Sequence, residues 1–517
     1  MDEQRYRKRL TLPVLAVGAL SILLCVAGLA KLTQANAGVV VKRTQLGPTP
    51  VTVFRVGDAA TDAGRPVVVI AHGFAGSQQL MQSFAVTLAK NGYLAVTFDY
   101  LGHGRNLKPL GGDVTKVDGA TQLLLAQTRS VADYALSLPG ADGGLALIGH
   151  SMASDLVVRY AQSDQRVDAT VAVSMFSPAV TATSPENLLI IVGGLERFLK
   201  QEALRALALV TETPAPGVTV GRFDQGSARR VAFADGVEHV GVLYSRASMR
   251  ETVSWLDQVY DRTGAGYADA RGPAIVLLIL GAVMLAWPLS RLLPVVSRPA
   301  TGASLPWRQL LPAAAIPAIT TPVLLWWFPA DFLGVLVGGY LAIHFLVYGL
   351  VTAGCLWWVS RAGGPRIDRR THAGYLVAGS VAATLYVAGV VAMILDNYVT
   401  SFAITAPRLP LVFLMLAGTL SYFLADEWLT HGAKTARGGH LFTRFCFLVS
   451  LGIAVALSFE DLFFLLIIAA VIVVYFLVYG LFSKWIYRAT GHPAVGAIAN
   501  AVAFAWALAA VFPMLSR

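Results

Sequence analysis

Cysteine is almost missing from this sequence: Cys25, Cys355 and Cys446 are the three in 517 residues. All three fall inside apolar stretches, so neither a disulfide framework nor a thiol-ligated metal site is expected. Charge is thin as well. Asp, Glu, Lys and Arg make up 14% of the chain against 56% hydrophobic residues, which excludes a solvated disordered chain and a uniformly soluble globule. The nine histidines form no His/Glu ligand cluster, and there is no glycine-rich phosphate loop, so neither a metal nor an organic cofactor is expected. A formal charge of +10 could suggest nucleic acid. Much of the Lys and Arg, however, sits in loops between apolar segments, where the positive-inside rule puts it, so no nucleic-acid partner is expected.

What the chain has in excess is apolar residues, and they are unevenly spread. At this length more than one domain is expected. Residues 1–38 read as an N-terminal membrane anchor or signal segment: Arg5, Arg7, Lys8 and Arg9 precede about twenty mostly apolar residues from Leu12 to Leu32, enough to cross a bilayer. Ala35-Asn36-Ala37 before Gly38 resembles a cleavage site, but the apolar core is longer than a signal peptide's, which favours an uncleaved anchor. Residues 39–270 are polar enough for a water-exposed domain. Residues 271–517 read as a polytopic domain with eight apolar segments, near 274–294, 309–328, 332–356, 373–395, 409–425, 442–458, 462–482 and 494–514.

The loops set the expected topology. Arg291, Arg298 and Arg308 fall in one connection, Arg361, Arg366, Arg369 and Arg370 in another, Lys434, Arg437 and Arg444 in a third, Lys484 and Arg488 in a fourth. The alternate connections, Pro329 to Asp331, Asp396 to Pro407 and Phe459 to Asp461, are poor in Lys and Arg. Nine spans with a cytoplasmic N-terminus put every basic loop in the cytoplasm and residues 39–270 outside it. The expectation is an integral, multi-pass protein of a bacterial inner membrane with a periplasmic domain. Phe345-Leu-Val-Tyr-Gly-Leu350 recurs as Phe476-Leu-Val-Tyr-Gly-Leu481, which admits either a parallel duplication or coincidence. Asp396, Asp426, Glu427, Glu460 and Asp461 read as segment ends and His344 as the one ionisable group deep in a span, a weak case for a transporter.

Within residues 39–270 strand-like and helix-like stretches alternate, which predicts a mostly parallel sheet covered on both faces. Expected strands are Val39–Leu46, Val51–Val56, Val67–Ala71, Leu94–Asp99, Leu145–Gly149, Ala169–Ser174, Leu188–Val192 and Arg230–Ala234. The organising stretch is Leu145-Ala-Leu-Ile-Gly-His-Ser-Met-Ala-Ser154, a strand running into a tight turn and then a helix. Small residues at Gly149 and Ala153 let Ser151 stand clear of the sheet as a nucleophile elbow.

A serine nucleophile needs a base, a group that orients the base, and donors for the oxyanion. In this arrangement the order is Ser, acid, His. His72, His103, His150 and His239 are the four histidines of the domain, and His239 alone follows Ser151. Glu196, a few residues past the strand Leu188–Val192, is the candidate acid, with Asp224, Asp235 and Glu238 as competitors. Val68-Val-Ile-Ala-His-Gly-Phe-Ala-Gly76 is a buried strand opening into a glycine turn, so the amides of Phe74 and Met152 are the expected oxyanion donors. His72 reads as a brace for that loop.

Taken together, His72-Gly-Phe-Ala-Gly76, Asp99-Tyr-Leu-Gly-His-Gly104, Gly149-His-Ser-Met-Ala153 and Glu238-His-Val-Gly241, in this order, resemble the α/β-hydrolase superfamily. The likeness is closest to its lidless dienelactone-hydrolase-like and esterase branch and covers about Val39 to Asp261. It implies an eight-stranded doubly wound sheet, and carries the triad onto Ser151, His239 and Glu196 and the oxyanion hole onto Phe74 and Met152; the remaining half, an all-α transmembrane bundle by its apolar segments, resembles no recognised family. Ala153 in place of Gly, and Glu in place of the commoner Asp, depart from the usual pattern. The expected reaction is hydrolysis of an ester or thioester through an acyl-enzyme, on a small-molecule or lipid-like substrate. An acyltransferase with the same triad, and a membrane binding or gating protein without catalysis, are the alternatives. Oligomeric state is not legible.

Overall fold

The structure is a computed structural model that describes residues 11–57, 64–114, 116–329, 332–361 and 371–516. Arg5, Arg7, Lys8, Arg9, Asp331, Arg366, Arg369 and Arg370 therefore lie outside the described residues. The chain forms two compact units. One comprises Ala27–Leu277, Leu395–Ala403 and Pro513–Arg517; the other comprises Met1–Val26, Leu278–Ile394 and Ile404–Phe512. Helix α1 (Leu12–Asn36) belongs to both, as do the helices Gly272–Ser290 and Val391–Tyr398.

The first unit is a nine-stranded mixed sheet, one strand more than the family resemblance implies. Its strands are β1 (Val39–Leu46), β2 (Thr49–Val56), β3 (Arg65–Ala71), β4 (Leu94–Phe98), β5 (Ala141–His150), β6 (Val167–Val173), β7 (Leu188–Gly193), β8 (Thr219–Val220) and β9 (Arg229–Ala234), in the spatial order β1-β2-β4-β3-β5-β6-β7-β9-β8. The additional strand is β8, two residues paired antiparallel with β9 at the sheet edge, too short to leave an apolar period in the sequence. From β4 to β9 the neighbours are parallel, and β1 and β2 add an antiparallel edge.

Both faces are covered, which is why the central strands read as unbroken apolar runs rather than alternations. Alternate residues serve opposite faces: Val68, Ile70, Ala146 and Ile148 join one core with Phe84 and Trp255, and Val67, Val69, Leu145 and Leu147 join the other with Tyr100 and Tyr160. Helices α2 (Gln82–Lys90), α3 (Gln122–Leu136), α4 (Met152–Ser163), α5 (Arg197–Ala208) and α6 (Arg246–Val259) supply those coverings. Two segments distant in sequence complete the unit on the loops after β3 and β4. Arg105 pairs with Asp396 at 2.5 Å, the Ser401 amide donates to the Ser77 hydroxyl at 2.8 Å, and the Met514 amide donates to the Gly102 carbonyl at 2.9 Å. Nothing in the local pattern of those segments announces this.

The second unit is helical: α7 (Gly272–Ser290), α8 (Trp307–Leu324), α9 (Gly338–Arg361), α10 (Ala373–Thr384), α11 (Val391–Tyr398), α12 (Leu409–Thr430), α13 (Gly439–Leu457), α14 (Phe459–Leu462), α15 (Phe464–Thr490) and α16 (Pro493–Val511). Among the described residues eight helices are long and apolar enough to cross a membrane, one of them near the N-terminus. The expectation was nine. The shortfall is α8, whose Arg308 and Gln309 and three prolines, Pro312, Pro317 and Pro322, dilute its apolar content. The segment read as 409–425 continues to Thr430, so Asp426 and Glu427 lie within α12 and are buried. His344 is thus not the lone ionisable group inside the helices.

The recurring hexapeptide has a packing role in both places. A Cβ at Gly349 would lie 2.4 Å from the Tyr422 amide nitrogen, and one at Gly480 2.2 Å from the Arg444 guanidinium. Each glycine admits a neighbour that any side chain would exclude, the small-residue logic of helix pairs in membranes. Phe345 and Phe476 converge on one aromatic core, with ring centroids 4.7 and 5.4 Å from Phe447.

Candidate active site

The ends of five adjacent parallel strands, β3, β5, β6, β7 and β9, build the site at one edge of the sheet, where open α/β sheets place their ligands. Ser151 follows β5 and begins α4. Its φ of 53° and ψ of −117° lie in a region that costs roughly 1–3 kcal/mol for a residue with a side chain. The surroundings enforce that strain. The Ser151 amide donates to the Val173 carbonyl at 2.9 Å, and a Cβ on Gly149 would stand 2.3 Å from the Ala153 carbonyl oxygen. Ala75 and Ser174, at φ 53° and 51°, share the left-handed backbone on neighbouring loops.

His239, five residues past β9, brings Nε2 to 2.9 Å from the Ser151 hydroxyl. Its Nδ1 stands 2.6 Å from Glu196 Oε1, where it donates to the carboxylate. The other Glu196 oxygen accepts from the Ser174 hydroxyl and the Gly193 amide, both at 2.7 Å. The Glu196 side chain is 7% exposed and that of His239 34%, a buried carboxylate behind a ring open to solvent. Burial alone would raise the Glu196 carboxyl, but the His239 ring, the Ser174 hydroxyl and the Gly193 amide together hold it below the ordinary carboxylate value. The competitors are occupied elsewhere. Glu238 accepts from the Val240 and Gly241 amides at 2.7 and 2.8 Å, Asp224 pairs with Arg222 at 2.6 Å, and Asp235 is exposed.

The loop after β3 closes the other side of Ser151. A Cβ on Gly73 would lie 3.0 Å from Ser151 Cβ, which puts the peptide leading to Phe74 beside Ser151, while Met152 opens α4. His72 accepts from the Tyr100 amide at Nε2, 3.1 Å, and therefore carries its proton on Nδ1, donating to the Gly73 carbonyl at 2.8 Å. Burial outweighs the nearby Asp99 charge and lowers its proton affinity. His72 ties the β3 loop to the β4 loop, as a brace would.

Two residues at the site escaped the sequence reading. Ser174 holds Glu196, and its one local signal, a polar residue ending an apolar strand, is common to many strand ends. His150, adjacent to Ser151, donates from Nε2 to the His239 carbonyl at 2.9 Å. Burial first, and the facing His239 ring second, push its pKa down to about 3, so it stays neutral. Its presence inside the elbow was visible, but the carbonyl it reaches lies 89 positions away.

Residues 62–219 match the family model described as serine aminopeptidase, S33, which places that segment among the α/β-hydrolases. No curated protein matches the sequence. Similar solved structures include TT1662 from Thermus thermophilus, at 17% identity, 44% coverage of this chain, 99% of that one and a TM-score of 0.32. A membrane phospholipase A gives 15%, 48%, 96% and 0.32, and a methylesterase 14%, 51%, 69% and 0.33.

Proposed function

We propose that this chain is a membrane-embedded serine hydrolase that cleaves an ester or thioester through Ser151, His239 and Glu196. The carrying observation is the continuous relay from the Ser151 hydroxyl to His239 Nε2 at 2.9 Å and from His239 Nδ1 to Glu196 at 2.6 Å. In the forward step His239 takes the hydroxyl proton as Ser151 Oγ attacks the acyl carbon. The Phe74 and Met152 amides receive the charge that develops on the carbonyl oxygen. His239 then protonates the leaving oxygen or sulfur, and water, deprotonated by the same ring, releases the acid from the acyl-enzyme. Glu196 stays ionised throughout and fixes the Nδ1–H tautomer. Among the described residues no side chain beyond these is needed for the proton balance.

The substrate class follows from the rim. Phe176 is 52% exposed, Leu195 64% and Phe198 65%; Phe176 lies two residues past Ser174, and Leu195 and Phe198 flank Glu196. The Phe176 and Phe198 rings stack at 5.9 Å. This exposed aromatic pair and Leu195, close in sequence to Ser174 and Glu196, favour a lipid-like or otherwise hydrophobic acyl group. We place residues 1–38 as anchor, 39–270 as the hydrolase domain on the extracytoplasmic side of a bacterial inner membrane, and 271–517 as the polytopic domain, because the basic connections then lie in the cytoplasm.

Fluorophosphonate labelling of membranes carrying the wild type and Ser151→Ala tests the reading. Labelling of the wild type alone is expected; an unlabelled, folded wild type would exclude an activated serine.

A further inference from the structure

The helical unit contains a buried charged cluster that hydrolysis does not use. Asp426 and Glu427, on α12, are 3% and 1% exposed, and Arg444, on α13, is 3% exposed. Arg444 directs Nη2 to Glu427 Oε1 at 3.1 Å and Nη1 to the Phe476 carbonyl at 2.5 Å. Its Nε is 3.9 Å from Asp426 Oδ2, beyond hydrogen-bond range. The guanidinium hydrogen-bonds Glu427 and not Asp426; Asp426 Oδ2, Glu427 Oε2 and Arg444 Nε are all left without a hydrogen-bond partner.

The other groups around Asp426 Oδ2 do not supply the missing charge. Thr443, from α13, reaches the carboxyl as a neutral donor, and Cys446, also from α13, is neutral. His431, at the end of α12, donates from Nδ1 to the Glu427 carbonyl at 2.8 Å and stands 3.3 Å from Glu427 Oε2, not Asp426. His440 faces Arg444 and Lys484, and Lys484 is itself exposed. Two carboxyls thus share one buried cation. An ionised carboxylate with a bare oxygen in such an interior is strongly disfavoured, whereas the neutral acid needs only an acceptor. The Tyr348 and Tyr422 hydroxyls, from α9 and α12, are themselves buried without a hydrogen-bond partner and so give Oδ2 no donor that would hold it ionised.

We propose that Asp426 is a proton-binding site inside the helical unit, holding its carboxyl as the neutral acid at neutral pH. The proton comes from bulk water and adds to Oδ2, with no bond broken in the protein. His431, whose side chain is 12% exposed, and the half-buried His440 lie between the cluster and the surface. Ionisable groups kept inside membrane helices mark proton and ion paths, so this site gives the helical unit a role beyond anchorage. The inference is independent of the hydrolase reading.

Infrared spectroscopy of the full chain in lipid nanodiscs at neutral pH tests it. The expected result is a carbonyl-stretch band of a protonated carboxylic acid that shifts on selective 13C labelling of aspartate side chains and is lost in Asp426→Asn. The labelled wild type suffices if the variant does not fold. No such band at neutral pH, a band that survives in folded Asp426→Asn, or one that moves only with labelled glutamate would each overturn the proposal. So would a band that appears only when sodium is replaced by choline, since sodium would then hold the place assigned to the proton.

Discussion

Replacing Glu196 by Gln is a nearly isosteric change whose outcome is dictated by one backbone amide. In the wild type, Glu196 accepts on three sides, from His239 Nδ1, the Ser174 hydroxyl and the Gly193 amide. A glutamine must turn its NH2 toward one of its two oxygen positions. The Gly193 N–H is a fixed donor and cannot face another donor, so the amide oxygen stays with Gly193 and Ser174 and the NH2 faces His239. Nδ1 must then become an acceptor, which moves the imidazole proton to Nε2, where it points at Ser151 and cannot take the hydroxyl proton. The ring is held in place but in the wrong tautomer. The corresponding acid-to-amide change in serine-protease triads lowers kcat about 10⁴-fold; a loss of about 10³–10⁴, roughly 4–5.5 kcal/mol of transition-state stabilisation, is expected here. The assay is the second-order rate of fluorophosphonate labelling, with hydrolysis of an activated ester once a substrate is found. Circular dichroism and size-exclusion elution confirm that the variant is folded. A folded Glu196→Gln that keeps more than a tenth of the wild-type rate would refute the tautomer argument and with it the assignment of Glu196 as the orienting acid.

Ser174→Ala removes one of the three donors to a buried carboxylate, a contact worth about 1.5–3 kcal/mol, and is expected to cut kcat roughly tenfold or more with KM little changed; a KM effect alone would make Ser174 a binding residue instead. His150→Phe deletes the donor to the His239 carbonyl. Because the folded pKa of His150 is pushed down to about 3 from an unfolded value of about 6.5, its neutral burial is fully favourable only above the unfolded value, and that contribution is lost as pH falls from there through the folded value. The wild type should therefore lose several kcal/mol of stability across that window, with a flatter curve for His150→Phe in denaturant melts; parallel curves would show that His150 does not drive the acid transition.

The hydrolase unit was legible because its elements carry local signatures that tertiary packing reinforces. A strand buried on both faces is an apolar run with few alternatives, and β3, β5 and β7 are such runs. The elbow is legible for a harder reason: the approach of Ala153 to Gly149 leaves no room for a side chain, so the geometry writes itself into the residue type. The proximity of His239 to Ser151 followed from chain order and scarcity. What escaped were contacts between groups whose residue types are unremarkable where they stand. Ser174 and His150 act through single hydrogen bonds to partners brought near only by the parallel sheet, and no period or spacing encodes those. The two-residue strand β8 and the docking of residues 395–403 and 513–516 were missed for the same reason.

In the helical unit the apolar pattern is a poorer guide, because a helix among other helices can be apolar all round and still bury polar residues at its contacts. The run ending near Ala425 looked complete because Asp426 and Glu427 lower its hydropathy, and a carboxylate at the end of an apolar stretch ordinarily means the water interface. The physical reason they instead lie within α12 is Arg444 on α13, seventeen and eighteen positions away, and Gly480 on α15, whose missing side chain gives the guanidinium room. Gly480 belongs to the repeated hexapeptide. Its copy, Gly349, gives room to the α12 backbone at Tyr422, one turn before Asp426. The repeat thus flanks the charged cluster on two sides: Gly349 on α9 gives room to the α12 backbone and Gly480 on α15 gives room to the Arg444 guanidinium. A larger residue at Gly480 should expel Arg444 before it disturbs the aromatic core around Phe447, leaving Glu427 as well as Asp426 without a cation.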